Sequence, residues 1–134
     1  MSTLDNAIQA LFQMAHWDTL WTNSSPTSTF AEQDVMVPCA EYDYILIYYR
    51  SSTTSTAYAL STMSKYESGR YFPCEIVTSI DSDAKNVQFN FRNCALQANK
   101  ITFTGGNIKN ADAGYVRQQN NSIIIPIAIY GIKL

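Results

Sequence analysis

The chain has 134 residues, of which 46% are apolar and only 15% are charged, and its formal net charge is −2. This length predicts one domain, and the apolar fraction excludes a disordered chain. The small negative charge leaves no basic surface, so we expect no nucleic-acid partner. Because no apolar run approaches a membrane span and no secretory signal opens the chain, we expect synthesis in a cytoplasm and no membrane partner.

The first part of the chain, residues 1–19, predicts a short amphipathic helix. Its apolar residues recur at helical spacing: Leu4, Ile8, Leu11 and Phe12. Ser2 or Thr3 can cap its start. Such a helix is marginal alone, so it must dock on the chain's own domain, on equivalent helices of other copies, or on a larger partner. The sequence predicts an anchoring or trimerising element here.

After this segment the composition predicts a connector over 20–32 and a single β-domain over 33–134. Apolar and polar residues alternate in short runs that predict strands at 33–38, 42–50, 56–63, 71–80, 87–91, 101–103 and 123–134. Gly105-Gly106-Asn107 indicates a hairpin or a bulge. Pro126 indicates a sheet edge or a bulge, since proline cannot donate to a ladder. We therefore expect a mainly β protein, an antiparallel β-sandwich or jelly-roll-like domain behind one short helix.

Two of these predicted strands are apolar on both faces, which is unusual for a strand of a small antiparallel domain. A second surface must cover the extra face, and in a chain this short we expect another copy to provide it. The residues predicted to form an oligomer interface, together with the four apolar helix residues, are Tyr44, Ile45, Ile47, Ile125, Ile127 and Ile129.

Catalysis finds little support in the sequence. The only histidine is His16, and the three cysteines lie too far apart for a zinc motif. We expect Cys39, Cys74 and Cys94 to be small buried thiols. The acidic residues stand at strand ends and turns, where they are solvated. The sequence therefore predicts no catalytic residues, no metal, no cofactor and no enzyme.

The nine tyrosines are the better candidates for a binding surface, because exposed aromatic rings offer flat surfaces on which sugars stack. Most tyrosines of a β protein fill cores and interfaces. Those nearer predicted turns are candidates for carbohydrate contact: Tyr58, Tyr66, Tyr71 and Tyr115.

Several motifs also resemble a family of bacteriophage virion proteins, which includes short structural proteins and tail-fibre C-terminal domains. The motifs are Leu20-Trp21-Thr22-Asn23, Pro26-Thr27-Ser28, Phe30-Ala31-x-Gln33, Tyr42-Asp43-Tyr44-Ile45-Leu46-Ile47 and Ile125-Pro126-Ile127-x-Ile129-Tyr130-Gly131-Ile132-Lys133. The resemblance implies a homotrimeric β-structured knob on the exterior of a virion, in contact with other virion proteins and with host surface polysaccharide. Because only a short helix precedes the domain, the alternative is a capsid decoration or head-fibre protein attached through its N-terminal segment.

Overall fold

The computed structural model describes residues 2–7, 16–54, 59–79, 87–111 and 114–134. The chain is mainly β, with antiparallel sheets arranged as a β-sandwich and one short helix at residues 3–7, as the sequence predicted. The strands are β1 (His16–Thr22), β2 (Gln33–Met36), β3 (Tyr44–Ser52), β4 (Ala59–Lys65), β5 (Tyr71–Ser79), β6 (Val87–Gln97), β7 (Lys100–Phe103), β8 (Asn107–Asn110), β9 (Gln118–Gln119) and β10 (Ile123–Lys133).

The N-terminal segment only partly follows the prediction. Ser2 caps the helical turn, since its Oγ accepts a hydrogen bond from the Asp5 backbone N–H at 3.1 Å. The boundaries of the predicted helix and connector are wrong, because β1 occupies His16–Thr22. Pairing with the apolar strand β10 overrides the local helical pattern there. The predicted helix residues Ile8, Leu11 and Phe12 lie outside the described residues.

Sheet A contains β1, β10, β3 and β4 in that order, so the closing strand β10 lies in the interior of the sheet. The register between β10 and β3 shifts between Pro126 and Ala128. Pro126 therefore lies at a bulge, one of the two predicted alternatives, where its missing N–H is tolerated.

Sheet B is built around the long strand β6. Strand β5 pairs along one edge of β6, while β7 and β8 pair with two separate parts of the other edge. Strand β2 then pairs with β7, and β9 pairs with β8. The hairpin, one of the two alternatives predicted at Gly105–Asn107, is thus not formed, because β7 and β8 follow one another along β6 instead of pairing together.

The hydrophobic core lies between the two sheets. Four residues predicted to contact another chain are fully buried within this one: Ile45, Ile47, Ile125 and Ile129. That part of the interface prediction is wrong, because this chain's own core encloses these side chains. The cysteines Cys39, Cys74 and Cys94 are free and buried, as the sequence predicted.

We predict that Gly131→Ala destabilises the protein by about 2 kcal/mol, because an added methyl group overpacks the structure. A Cβ at this position of β10 would lie 2.5 Å from Cγ of the Tyr42 ring. Urea denaturation measures the loss. In a Tyr42→Ala background the penalty should shrink, since the ring that causes the clash is gone. An equal penalty in both backgrounds would contradict this explanation.

Candidate functional site

The outward side of sheet A is apolar and rich in aromatic rings. Strand register brings one set of residues together on it, which we call the aromatic face: Trp17, Tyr44, Leu46, Tyr48, Met63, Tyr130 and Ile132. Trp17 and Met63 are each 55% exposed, on the two outer strands. The chain therefore carries apolar side chains on both sides of sheet A. On the outer side Trp17 and Met63 are exposed, the tyrosines and Leu46 are half-buried, and Ile132 is only 4% exposed.

Charged groups flank the aromatic face but do not interrupt it. Lys65 lies at one end of the face, opposite Tyr44, and Arg50 follows Tyr48 on the same side of β3 at the other end. The Arg50 guanidinium donates to the Pro26 carbonyl at 3.3 Å. None of the residues that form the aromatic face carries a charge. The aromatic face is therefore uncharged, with a positive charge at each end of its β3 and β4 rows.

The outward side of sheet B has a different character around β2 and β7. Asp34 accepts hydrogen bonds from Thr102 Oγ1 at 2.7 Å and from Lys100 Nζ at 3.0 Å. The bond from Thr102, followed by that from Lys100, lowers the pKa of Asp34 below its usual range. This polar cluster is typical of a solvated surface. The same sheet also exposes apolar side chains elsewhere, namely Met36, Tyr71, Val77 and Phe89.

A polar cleft lies where sheet B is interrupted. Its lining residues are Glu32, Thr104, Gly105, Asn107, Arg117 and Gln119, and its volume is about 240 Å³. Glu32 immediately precedes β2, and Gln119 ends β9. Because β2 pairs with β7 and β9 pairs with β8, the segment between β7 and β8 spans the gap and forms the cleft floor.

Two glycines allow the chain to pass through this gap. A Cβ on Gly106 would lie 2.1 Å from the backbone oxygen of Asn120, and one on Gly105 would lie 2.9 Å from Gln119 Nε2. The Gly106 N–H donates to Asn121 Oδ1 at 3.1 Å, and its carbonyl accepts from the Asn120 N–H at 2.7 Å. The close backbone approach therefore requires glycine at 106 and ties the floor to the chain before β10.

A buried arginine supports the same segment from inside the sandwich. Arg92 is 0% exposed, and its guanidinium donates to the carbonyls of Ile124 and Thr104 at 2.7 Å and of Ile123 at 3.1 Å. Its Cζ also lies 5.1 Å from the ring centroid of Phe30. Burial lowers the pKa of Arg92 to about 10, so the group stays charged at neutral pH. Arg92 thus joins the two sheets directly below the cleft.

The walls of the cleft carry opposite charges that are not paired. Glu32 and Arg117 are both exposed, and neither makes a hydrogen bond or ion pair with another residue in the described part of the chain. Asn107 is 6% exposed, and its amide Nδ2 donates to the Gly105 carbonyl at 2.9 Å. The cleft therefore offers carboxylate acceptors on one side and guanidinium donors on the other.

An exposed aromatic pair includes Tyr115, which precedes the cleft residue Arg117 by two positions in the sequence. The rings of Phe89 and Tyr115 lie 6.1 Å apart, and Tyr115 is 52% exposed. Its φ of 58° is a conformation that costs a non-glycine residue about 1 kcal/mol or more. The Tyr115 N–H donates to the Asn110 carbonyl at 2.9 Å, which fixes this turn two residues before Arg117.

The predicted site residues do not form one site. Leu4 is 69% exposed, and Tyr44 and Ile127 are half-buried on sheet A. Among the tyrosines, Tyr66 is half-buried and packs against the core, and Tyr58 lies outside the described residues.

Tyr71 is 59% exposed, but it pairs with Ala95, far along β6 from Phe89. Only Tyr115 lies close in sequence to the cleft. The sequence did not predict that Glu32, Asn107, Arg117 and Gln119 line one cleft. The only local sign of this cleft in the sequence is the Gly105-Gly106 pair.

The lone histidine belongs to a separate polar cluster at the end of sheet A. His16 Nε2 lies 2.9 Å from Asp18 Oδ1, and the Tyr42 hydroxyl donates to Asp18 Oδ2 at 2.6 Å. This bond to Asp18 raises the pKa of Tyr42 to about 12 and lowers that of Asp18. Within the described ranges, no group of three or more His, Cys, Asp or Glu residues is arranged to hold a metal ion.

No helix among the residues that the structure describes is long and apolar enough to cross a membrane. Comparison with models of known protein families and with curated protein sequences found no match to this chain. The fold and the two surfaces are therefore the basis for a functional proposal.

Proposed function

We propose that this chain is a non-enzymatic structural protein on the exterior of a bacteriophage virion, a homotrimeric knob that contacts the host surface through carbohydrate. The observation that carries this proposal is the aromatic face, on which the chain's own fold leaves Trp17 and Met63 exposed. Trp17 and Met63 are large apolar side chains exposed on the same side of one sheet. Exposed apolar surface of this kind is typical of a contact with another protein.

The exposed members of the aromatic face support a contact between copies. The outer strands β1 and β4 have seven residues each. Four strands about 4.8 Å apart and about 23 Å long give this side of sheet A a total area of roughly 440 Å². Thr19 and Ser61 share this side, so the contact would centre on Trp17 and Met63. Because the face is uncharged, it needs no partner of opposite charge. Another copy of this chain, which presents the same apolar residues, can therefore cover it.

The resemblance to phage virion proteins is the basis for placing the chain on a virion. The two sheets would then make different contacts. Sheet A would face the sister chains. The outward side of sheet B, with the cleft, would face the host.

The alternative, a capsid decoration or head-fibre protein, is favoured by one observation. Leu4 is 69% exposed on the helical turn at residues 3–7, although the spacing of the sequence makes it part of an apolar stripe. In this case the N-terminal segment would attach the chain to the shell.

Imaging of purified phage particles with a gold-labelled antibody to this chain tests the proposal. Label at the tail tip is the expected result, and label on the capsid would establish the alternative instead. Absence of the chain from purified particles would overturn both assignments.

A further inference from the structure

The floor and the β2 side of the cleft between β2 and β9 are fixed by contacts within the chain. Gly106 permits the backbone crossing, and Arg92 binds the Thr104 carbonyl from within. On the β2 side, the Phe30 ring packs edge-on against Phe103 at 5.5 Å, two residues before Glu32. The chain therefore fixes the floor and the route of one wall before any ligand arrives.

The charges of the cleft restrict the class of ligand. A cation would meet the Arg117 guanidinium, and an anion would meet the Glu32 carboxylate, so a simple ion of either sign is disfavoured. A neutral molecule rich in hydroxyl groups satisfies both walls, because its O–H groups donate to the carboxylate and its oxygens accept from the guanidinium.

The size of the cleft restricts the ligand further. A volume of about 240 Å³ holds roughly eight water molecules. Pockets for larger, drug-sized ligands begin at about 300 Å³. A single sugar ring suits this volume.

We propose that this cleft binds one neutral sugar ring of a glycan, between the Glu32 carboxylate and the Arg117 guanidinium. The inference rests on the proposed host-contact function, which it deepens by naming the site and the ligand class. Repetition of the site in an oligomer would convert weak single contacts into firm attachment.

Saturation-transfer NMR on the full chain tests this inference with the methyl glycosides of glucose, galactose and mannose, and with methyl glucuronide as the charged comparison. We expect transfer to at least one neutral glycoside, and at least tenfold weaker binding in Glu32→Ala and Arg117→Ala. Both side chains are exposed, so neither change should affect folding.

The matched controls are Glu67→Ala and Arg70→Ala, an exposed acid and base that pair with each other between β4 and β5. Both should bind the glycoside like the unaltered chain. Equal binding in the cleft variants, transfer only to the charged glycoside, or no transfer at all would overturn the inference.

The imaging experiment separates a failure of this inference from a failure of the proposed function. Tail-tip label without glycoside binding would remove the sugar site and leave the virion function in place. Glycoside binding that needs Glu32 and Arg117, in a chain absent from particles, would keep the site and remove the virion function.

Discussion

Met63→Asp is expected to release single chains from the proposed assembly. Met63 is 55% exposed on β4, within the aromatic face. In an oligomer its side chain would be buried against a sister chain, where an unpaired carboxylate costs several kcal/mol. Because each 1.4 kcal/mol changes an association constant tenfold, the assembly should weaken by at least a hundredfold. Analytical ultracentrifugation over a range of concentrations measures the change.

Met36→Asp is the matched control for this experiment. Met36 is 70% exposed on β2, in sheet B, so it has the same side chain and the same substitution on the other sheet. It should leave the assembly intact. A monomeric unaltered chain, or equal dissociation by both variants, would show that the aromatic face is not the contact between copies.

Arg92→Met is expected to lower the free energy of unfolding by about 4 kcal/mol, because it leaves two buried backbone carbonyls and one part-buried carbonyl without their donor. Those carbonyls belong to Thr104 on the cleft floor and to Ile123 and Ile124 on β10. Such a loss approaches the whole stability of many domains, about 5–15 kcal/mol. Urea denaturation at neutral pH measures it.

Arg92→Lys should recover only a small part of this loss, since an ammonium group cannot reproduce the planar set of donors. Arg70→Met is the exposed control, because Arg70 makes only a surface ion pair with Glu67. Its cost should stay below about 1 kcal/mol. Similar costs at the two positions would show that the three carbonyl bonds contribute little to stability.

Local sequence patterns determined much of the β-domain. Val87, Phe89 and Phe91 alternate with polar residues and lie in β6, although Phe89 is 37% exposed and Arg92 is buried. Pro126 lies at a bulge as its missing N–H requires. The apolar character of both faces of β3 was also visible in the sequence. Which face would be covered was not visible, because Ile45 and Tyr44 differ in burial only through the position of sheet B.

The cleft depended on tertiary structure for the same reason. Glu32, Asn107 and Arg117 are distant in sequence, and they meet because β7 and β8 share one edge of β6 while β2 and β9 leave a gap. Local propensity cannot specify such long-range pairing. The sequence by itself determined the alternation that makes strands, whereas only the packing of two sheets decided which apolar face stays uncovered and where the polar residues converge.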